Sequence, residues 1–269
     1  MSLLREDYQK FKANINQLMS GTKFPLQISE GEQNEYLDSI KPLVNNERFS
    51  FVVDLTTLEL KNCMGVERWL GYATQQFSLF DYIKAIHPNY VNPLMQMALA
   101  ALEVTNRNTG IFKFLDQRMI VCQPIREKNK KYWWVKRETT PFQFDAQGRM
   151  TSYVNLFTLV KEYEGESLAP RYMDLAGNRN SELYELFLER YREMILKNLP
   201  FTKREMEVLQ VYADGQDLTS LQVGQKLAIS KQTVDKHNQS ILMEARNQFP
   251  KNFGSAKEVA QFLHGEKII

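Results

Sequence analysis

The stretch from Phe201 to Met243 constrains the fold more than any other. Thr202 precedes an apolar-periodic run, and Glu205 stands three residues later. That pair is a capping box, in which each side chain satisfies an orphan amide at a helix start. The helix that follows is expected to bury Val208, Leu209 and Tyr212, with Gly215 as a left-handed exit. A second short helix carries Leu221, Val223 and Leu227. Ser230 caps a third, on which Val234, His237 and Ile241 fall on one face. That leaves Lys231, Gln232, Asp235, Lys236, Asn238 and Gln239 outward. Two short helices joined by a tight turn, the second with a polar outer face, have the geometry that seats a helix in the DNA major groove.

The motif formed by Thr202, Arg204, Glu205, Glu207, Val208 and Leu209 is followed by a second one, Ser230, Thr233, Val234, His237 and Ile241. Their order and separation resemble the LuxR-type (NarL/FixJ-like) helix-turn-helix DNA-binding domain, here over residues 201–269. The resemblance implies that Asp235, Lys236 and Gln239 read base edges. Lys231, Gln232 and Thr233, with the amides at Ser230, would hold the phosphate backbone. The chain departs from the family pattern at Glu244 and Ala245, where Lys and Leu are usual. It also carries Asp235 and Gln239 at positions that are often basic, and Gly224 where a small Ala is usual. A glycine there is expected to weaken the second helix by up to about 1 kcal/mol.

The 269 residues suggest about two domains. A net charge of +2 neither demands nor excludes a nucleic-acid partner. From Lys197 onward ten basic residues face eight acidic ones, so the DNA-binding part is only weakly basic. No run is long and apolar enough to span a membrane, and the start lacks a signal-peptide layout. Two cysteines, Cys63 and Cys122, make no disulfide framework. A cytoplasmic protein with no membrane partner is expected.

Upstream, residues 3–19 read as an amphipathic helix through Leu4, Tyr8, Phe11, Ile15 and Leu18, and residues 34–43 as a second. Together residues 1–45 are expected to cap the next domain. From Phe49 to Leu55 the content is β-branched and aromatic, a strand, with a turn at Thr56-Thr57 and a partner strand over 58–62. Short helical pieces follow around Val66–Tyr72 and Asp81–Pro88, then a longer helix over 90–105. Strand-like runs close the region at 110–124, 132–144 and 150–160. This order is α+β. Val53-Asp54, Leu70-Gly71-Tyr72, Phe77 and Ile86-His87-Pro88 resemble the PAS fold over residues 46–163. The fold class expected is therefore an N-terminal PAS-like antiparallel sheet with helices, plus a C-terminal all-α helix-turn-helix domain.

The PAS resemblance implies sensing or dimerisation. Haem needs an axial ligand, and the three histidines, His87, His237 and His264, offer none. His87 lies in the Ile-His-Pro stretch and His237 in the DNA-binding motif, and His264 is near the end. Cys63 follows an Asn, as in the flavin-reactive pair of light-sensing relatives, but it falls at the end of the second strand rather than where those relatives place it. Both cysteines read as structural. Tyr132, Trp133, Trp134, Phe142 and Phe144 either line a pocket or fill the core. No cofactor is called for; a small ligand in the PAS-like domain is left open.

Residues 164–200 read as a linker. Within it a helix from Ser181 shows the stripe Leu183, Phe187, Tyr191 and Met194, either packed on a neighbouring domain or carrying a signal to the DNA-binding unit. After the third helix of that unit, a turn between Pro250 and Gly254 leads into a last helix with Ala256, Val259, Ala260 and Leu263 inward. In the family that helix dimerises. The connection from Arg246 to Gly254 looks longer than the family's.

No nucleophile motif, phosphate-binding glycine loop or metal-ligand spacing appears, so an enzyme is not expected. Asp54 is read as the turn end of a strand rather than a phosphate acceptor. The function expected is a sequence-specific transcription regulator that binds double-stranded DNA as a homodimer. The alternative is a protein-interaction and dimerisation signalling module with a degenerate DNA-binding domain.

Overall fold

The computed structural model describes residues 2–44, 47–215, 217–249, 251, 253–265 and 268–269. Two helices open the chain, α1 (Ser2–Met19) and α2 (Glu30–Ile40). Helix α2 starts earlier than its apolar pattern predicts, because Ser29 and Glu32 form a capping box ahead of it. Strands β1 (Arg48–Asp54) and β2 (Glu59–Met64) form a hairpin. The carboxylate of Asp54 ends β1 by accepting from Thr56 N, Thr56 Oγ1 and Lys61 Nζ. It is a turn residue, as expected. Helices α3 (Val66–Leu70), α4 (Leu79–Ala85) and α5 (Pro88–Arg107) follow.

Strands β3 (Arg118–Arg126), β4 (Tyr132–Phe144), β5 (Met150–Glu162) and β6 (Arg171–Met173) complete a six-stranded antiparallel sheet of order β2-β1-β5-β4-β3-β6. Strand β3 begins later than the run from 110 suggests, because Leu115 and Gln117 take positive φ and break extension. Strand β6 falls in the segment read as linker. It pairs with β3, its Tyr172 opposite Met119, and three residues are too few to show alternation in sequence.

Alternation along β1 sorts the two faces of the sheet. Phe49, Phe51 and Val53 join the main core with Tyr8, Phe11 and Ile15 of α1 and with residues of α3, α4 and α5. Val52 faces the other way, with Phe142, Val154 and Leu37 and Ile40 of α2. Helix α1 packs against one side of the sheet and α2 against the other. Phe144 enters the main core and Phe142 the smaller one, so the aromatic residues of β4 divide between faces. His87 is structural as expected: its Nδ1 accepts from Asn89 N at the start of α5, and its ring packs edge-on to Tyr132. Burial lowers its pKa. Cys63 and Cys122 are free and half-buried, and burial pushes the Cys63 thiol up to about 11.

Helix α6 (Ser181–Lys197) leads to the C-terminal unit: α7 (Lys203–Asp214), α8 (Ser220–Leu227), α9 (Lys231–Gln248) and α10 (Ala256–Gly265). The fold class is α+β, with an antiparallel sheet and helices followed by an all-α unit. Among the described residues no helix is long and apolar enough to cross a membrane.

Candidate nucleic-acid interface

The three helices α7, α8 and α9 are each started by a side-chain cap. Thr202 and Glu205 cap α7 reciprocally, and Thr219 and Gln222 do the same for α8. The Ser230 hydroxyl accepts from Thr233 N at 3.1 Å to start α9. The capping box at α8 was not read from sequence, although Thr219 and Gln222 have the spacing that signals one. Glu205 is buried. Burial raises its carboxyl pKa, but hydrogen bonds from Ser240 and Thr202 outweigh that and hold it below the usual carboxylate range.

The core of the unit contains Val208, Leu209 and Tyr212 from α7, Val223 from α8, and Val234, Ile241 and Ala245 from α9. Three expectations are corrected here. Leu221 is 54% exposed, because Val223 is the residue that α8 turns inward. Gly215 has φ −124 and is not a left-handed exit; Asp217 takes the positive φ of 65 instead. A Cβ on Gly215 would lie 2.5 Å from Leu218 Cδ1, so the glycine answers to space. Asn238 is not an outward residue. Its Nδ2 donates to Tyr212 Oη at 3.0 Å and to Ser220 Oγ at 3.3 Å, tying α9 to both other helices.

The remaining candidates lie on or beside the outer face of α9. Lys231, Gln232, Lys236 and Gln239 are exposed, and Thr233 and Asp235 are half-buried. Ser230 Oγ and Thr233 Oγ1 stand 2.9 Å apart at the helix start. Lys231 Nζ pairs with Asp235 at 3.1 Å. A hydrogen bond from Ser220, then Lys231, keeps the Asp235 carboxyl below the usual carboxylate range. Asp235 is therefore ionised and engaged within the unit. Gln232, Lys236, Gln239 and Met243 follow each other at helical spacing, and Met243 is 57% exposed. Met243 was missed as part of this face because an apolar residue late in a helix reads as core. The continued spacing from Gln239 is the signal that finds it. Arg204 fixes the α8–α9 turn, donating from Nη2 to Leu227 O at 2.7 Å.

Residues 199–247 match the profile of the bacterial regulatory proteins of the luxR family. The C-terminal unit is a LuxR-type helix-turn-helix domain. No curated protein sequence matches the chain. Among solved structures, the chain is similar to a phage VqmA in complex with DPO, at 13% identity over 89% of this chain and 92% of that one, with a TM-score of 0.29. It is similar to the Vibrio cholerae VqmA dimer without target DNA, at 12% identity over 86% and 88%, with a TM-score of 0.32. Escherichia coli SdiA matches at 11% identity over 97% and 98%, with a TM-score of 0.24.

Around this LuxR-type domain the last helices are tighter than the sequence suggests. Helix α9 runs to Gln248, so the connection to α10 is shorter than the span from Arg246 to Gly254. Arg246 closes it by donating from Nε and Nη2 to Phe253 O at 3.0 and 2.6 Å. Pro250, expected to open that turn, lies outside the described residues. Ala256, Val259, Ala260 and Leu263 of α10 are all buried in the domain's own core.

Proposed function

We propose that the chain is a sequence-specific DNA-binding transcription regulator whose N-terminal, PAS-like domain senses a small ligand or dimerises. The observation that carries this is the outer face of α9. On a LuxR-type domain, Gln232, Lys236 and Gln239 stand exposed at helical spacing, beside the capped helix start at Ser230. A glutamine pairs with adenine edges and a lysine with guanine. The free amides of the first turn, with Lys231 and Thr233, suit phosphate. Asp235 can accept from a cytosine amine once Lys231 turns to the backbone.

The test is selection from a pool of random duplexes at low salt, with affinities repeated at higher salt. A two-fold motif with half-sites about one helical turn apart is the expected result and reports a homodimer. The second reading is a protein-interaction module with a degenerate DNA-binding domain. The Lys231–Asp235 pair favours it, because it neutralises charge on the face that would meet phosphate. The two readings part on salt. Phosphate contacts make log K fall linearly with log salt, and a mixed-charge protein interface does not require this. Binding without enrichment and without that slope would retire the regulator reading.

A further inference from the structure

The inner face of the sheet holds a row of buried polar groups that the protein leaves partly unpaired. Arg137 on β4 is 8% exposed. Its Nη1 donates to Tyr82 Oη at 3.1 Å, its Nε is buried without a partner, and no carboxylate pairs with it among the described residues. Gln123 on β3 is fully buried. Its Nε2 donates to the same Tyr82 Oη at 2.6 Å, and its Oε1 has no partner. Tyr82 thus accepts twice, which leaves its own proton free to donate. Further along the face, the indole Nε1 atoms of Trp69 and Trp133 are also buried without partners. Both indoles border a gap of about 10 Å³, walled by Phe49, Leu70, Ile125 and Val135. Glu127 also borders it, its carboxylate accepting from Asn129 Nδ2.

Buried polar groups are paired in all but a few cases, and a buried cation without a counter-charge is costly. Here Arg137 and Gln123 meet at one Tyr82 hydroxyl on this face, and donors outnumber acceptors. Three N–H groups and one O–H seek acceptors, while only Gln123 Oε1 seeks a donor.

We propose that this face recognises a small carboxylate carrying one hydroxyl or N–H donor and a flat apolar body. Arg137 and Tyr82 hold the carboxylate, Gln123 Oε1 takes the donor, and the two indoles border the apolar end. The proposal rests on the reading of the N-terminal domain as a ligand sensor. The gap holds no more than a water, so the ligand enters by displacing a wall. Helix α3 is that wall. It carries Trp69 and spans only Val66–Leu70, between Gly65 at φ 74 and Gly71 at φ 76. Glycine adopts those angles without strain, and opening breaks the bond from Lys128 N to Trp69 O, 2.9 Å long, that ties α3 to the turn after β3.

Tryptophan emission reads the site directly, since all three tryptophans, Trp69, Trp133 and Trp134, belong to this domain. The full chain is titrated with phenyllactate and with its neutral amide, phenyllactamide. We expect a saturable change with phenyllactate, at least tenfold weaker binding of the amide, and at least tenfold weaker phenyllactate binding by Arg137→Gln. Arg137→Met should melt no lower than the wild type without probe, which a purely structural arginine would not allow. If Arg137→Gln does not fold, Tyr82→Phe removes the hydroxyl that holds the carboxylate and should weaken phenyllactate several-fold. No saturable change, equal binding of the amide, or unchanged binding by the variants overturns the proposal. Phenyllactate binding that leaves the affinity for a selected duplex unaltered would retire the sensor reading and keep the site.

Discussion

Gly224 stands where α8 passes under the turn into α9. A Cβ built there would lie 2.7 Å from the carbonyl oxygen of Ile229. From sequence this glycine looks like a loss of helix propensity. In the fold it is what lets the two helices approach. Gly224→Ala would gain about 1 kcal/mol of propensity, but overpacking against a backbone atom costs more. We expect a net loss of about 1–2 kcal/mol, read from the urea midpoint of unfolding. A midpoint at or above the wild type would refute the close approach. Lys236 and Gln239 present the opposite case, since both are exposed. Lys236→Ala with Gln239→Ala should leave the circular dichroism spectrum intact. It should cost about 1–3 kcal/mol of discrimination per lost base contact, measured by fluorescence anisotropy on the selected duplex against a scrambled one. Unchanged discrimination would remove this face from the proposal.

At the scale of elements, α10 distinguishes what a resemblance implies from what this chain does. Its apolar face is spent inside its own domain, where Val259, Ala260 and Leu263 are fully buried and pack with residues of α7 and α9. Leu263→Ala should therefore act as a core truncation and cost about 2–5 kcal/mol. The thermal melt of the C-terminal domain would report it. Sedimentation should show the same mass as the wild type; a change of mass without loss of stability would return the face to dimerisation. Helices α7 and α9 were legible because a cap and a periodic run are local signals, while α8 was placed by its apolar run alone. Strand β6 was not, because its partner β3 lies far away in the chain and its own length is too short to carry a pattern.

Across the whole molecule, α6 joins two cores. Leu183 and Phe187 belong to the N-terminal core, Ile195 to the C-terminal one, and Tyr191 packs against both. The stripe seen in sequence therefore packs on both domains, which makes α6 a physical connection between the sheet domain and the C-terminal domain. A second contact comes from the end of α9. Asn92 Nδ2 on α5 donates to Gln248 Oε1 at 2.8 Å. One hydrogen bond is worth about 1 kcal/mol net. Asn92→Ala should lower the melting transition of the C-terminal domain by about 4–8 °C and leave that of the sheet domain in place, as scanning calorimetry would resolve. A shift of both transitions together would mean that the two domains melt as one unit.

The sequence by itself determined the starts of α7 and α9, the inward line of Val234 and Ile241, and the strand character of β1. These rest on interactions within a few residues, between a cap and its amide or between side chains one turn apart. Only the tertiary structure decided that Asn238 turns in and Leu221 out, that Gly224 serves a close approach, and that α10 spends its apolar face at home. It alone brought Arg137 and Gln123 to the same buried Tyr82 hydroxyl. Each of those depends on which distant surface a residue meets. A linear pattern records periodicity and caps, but it does not record the partner across the fold.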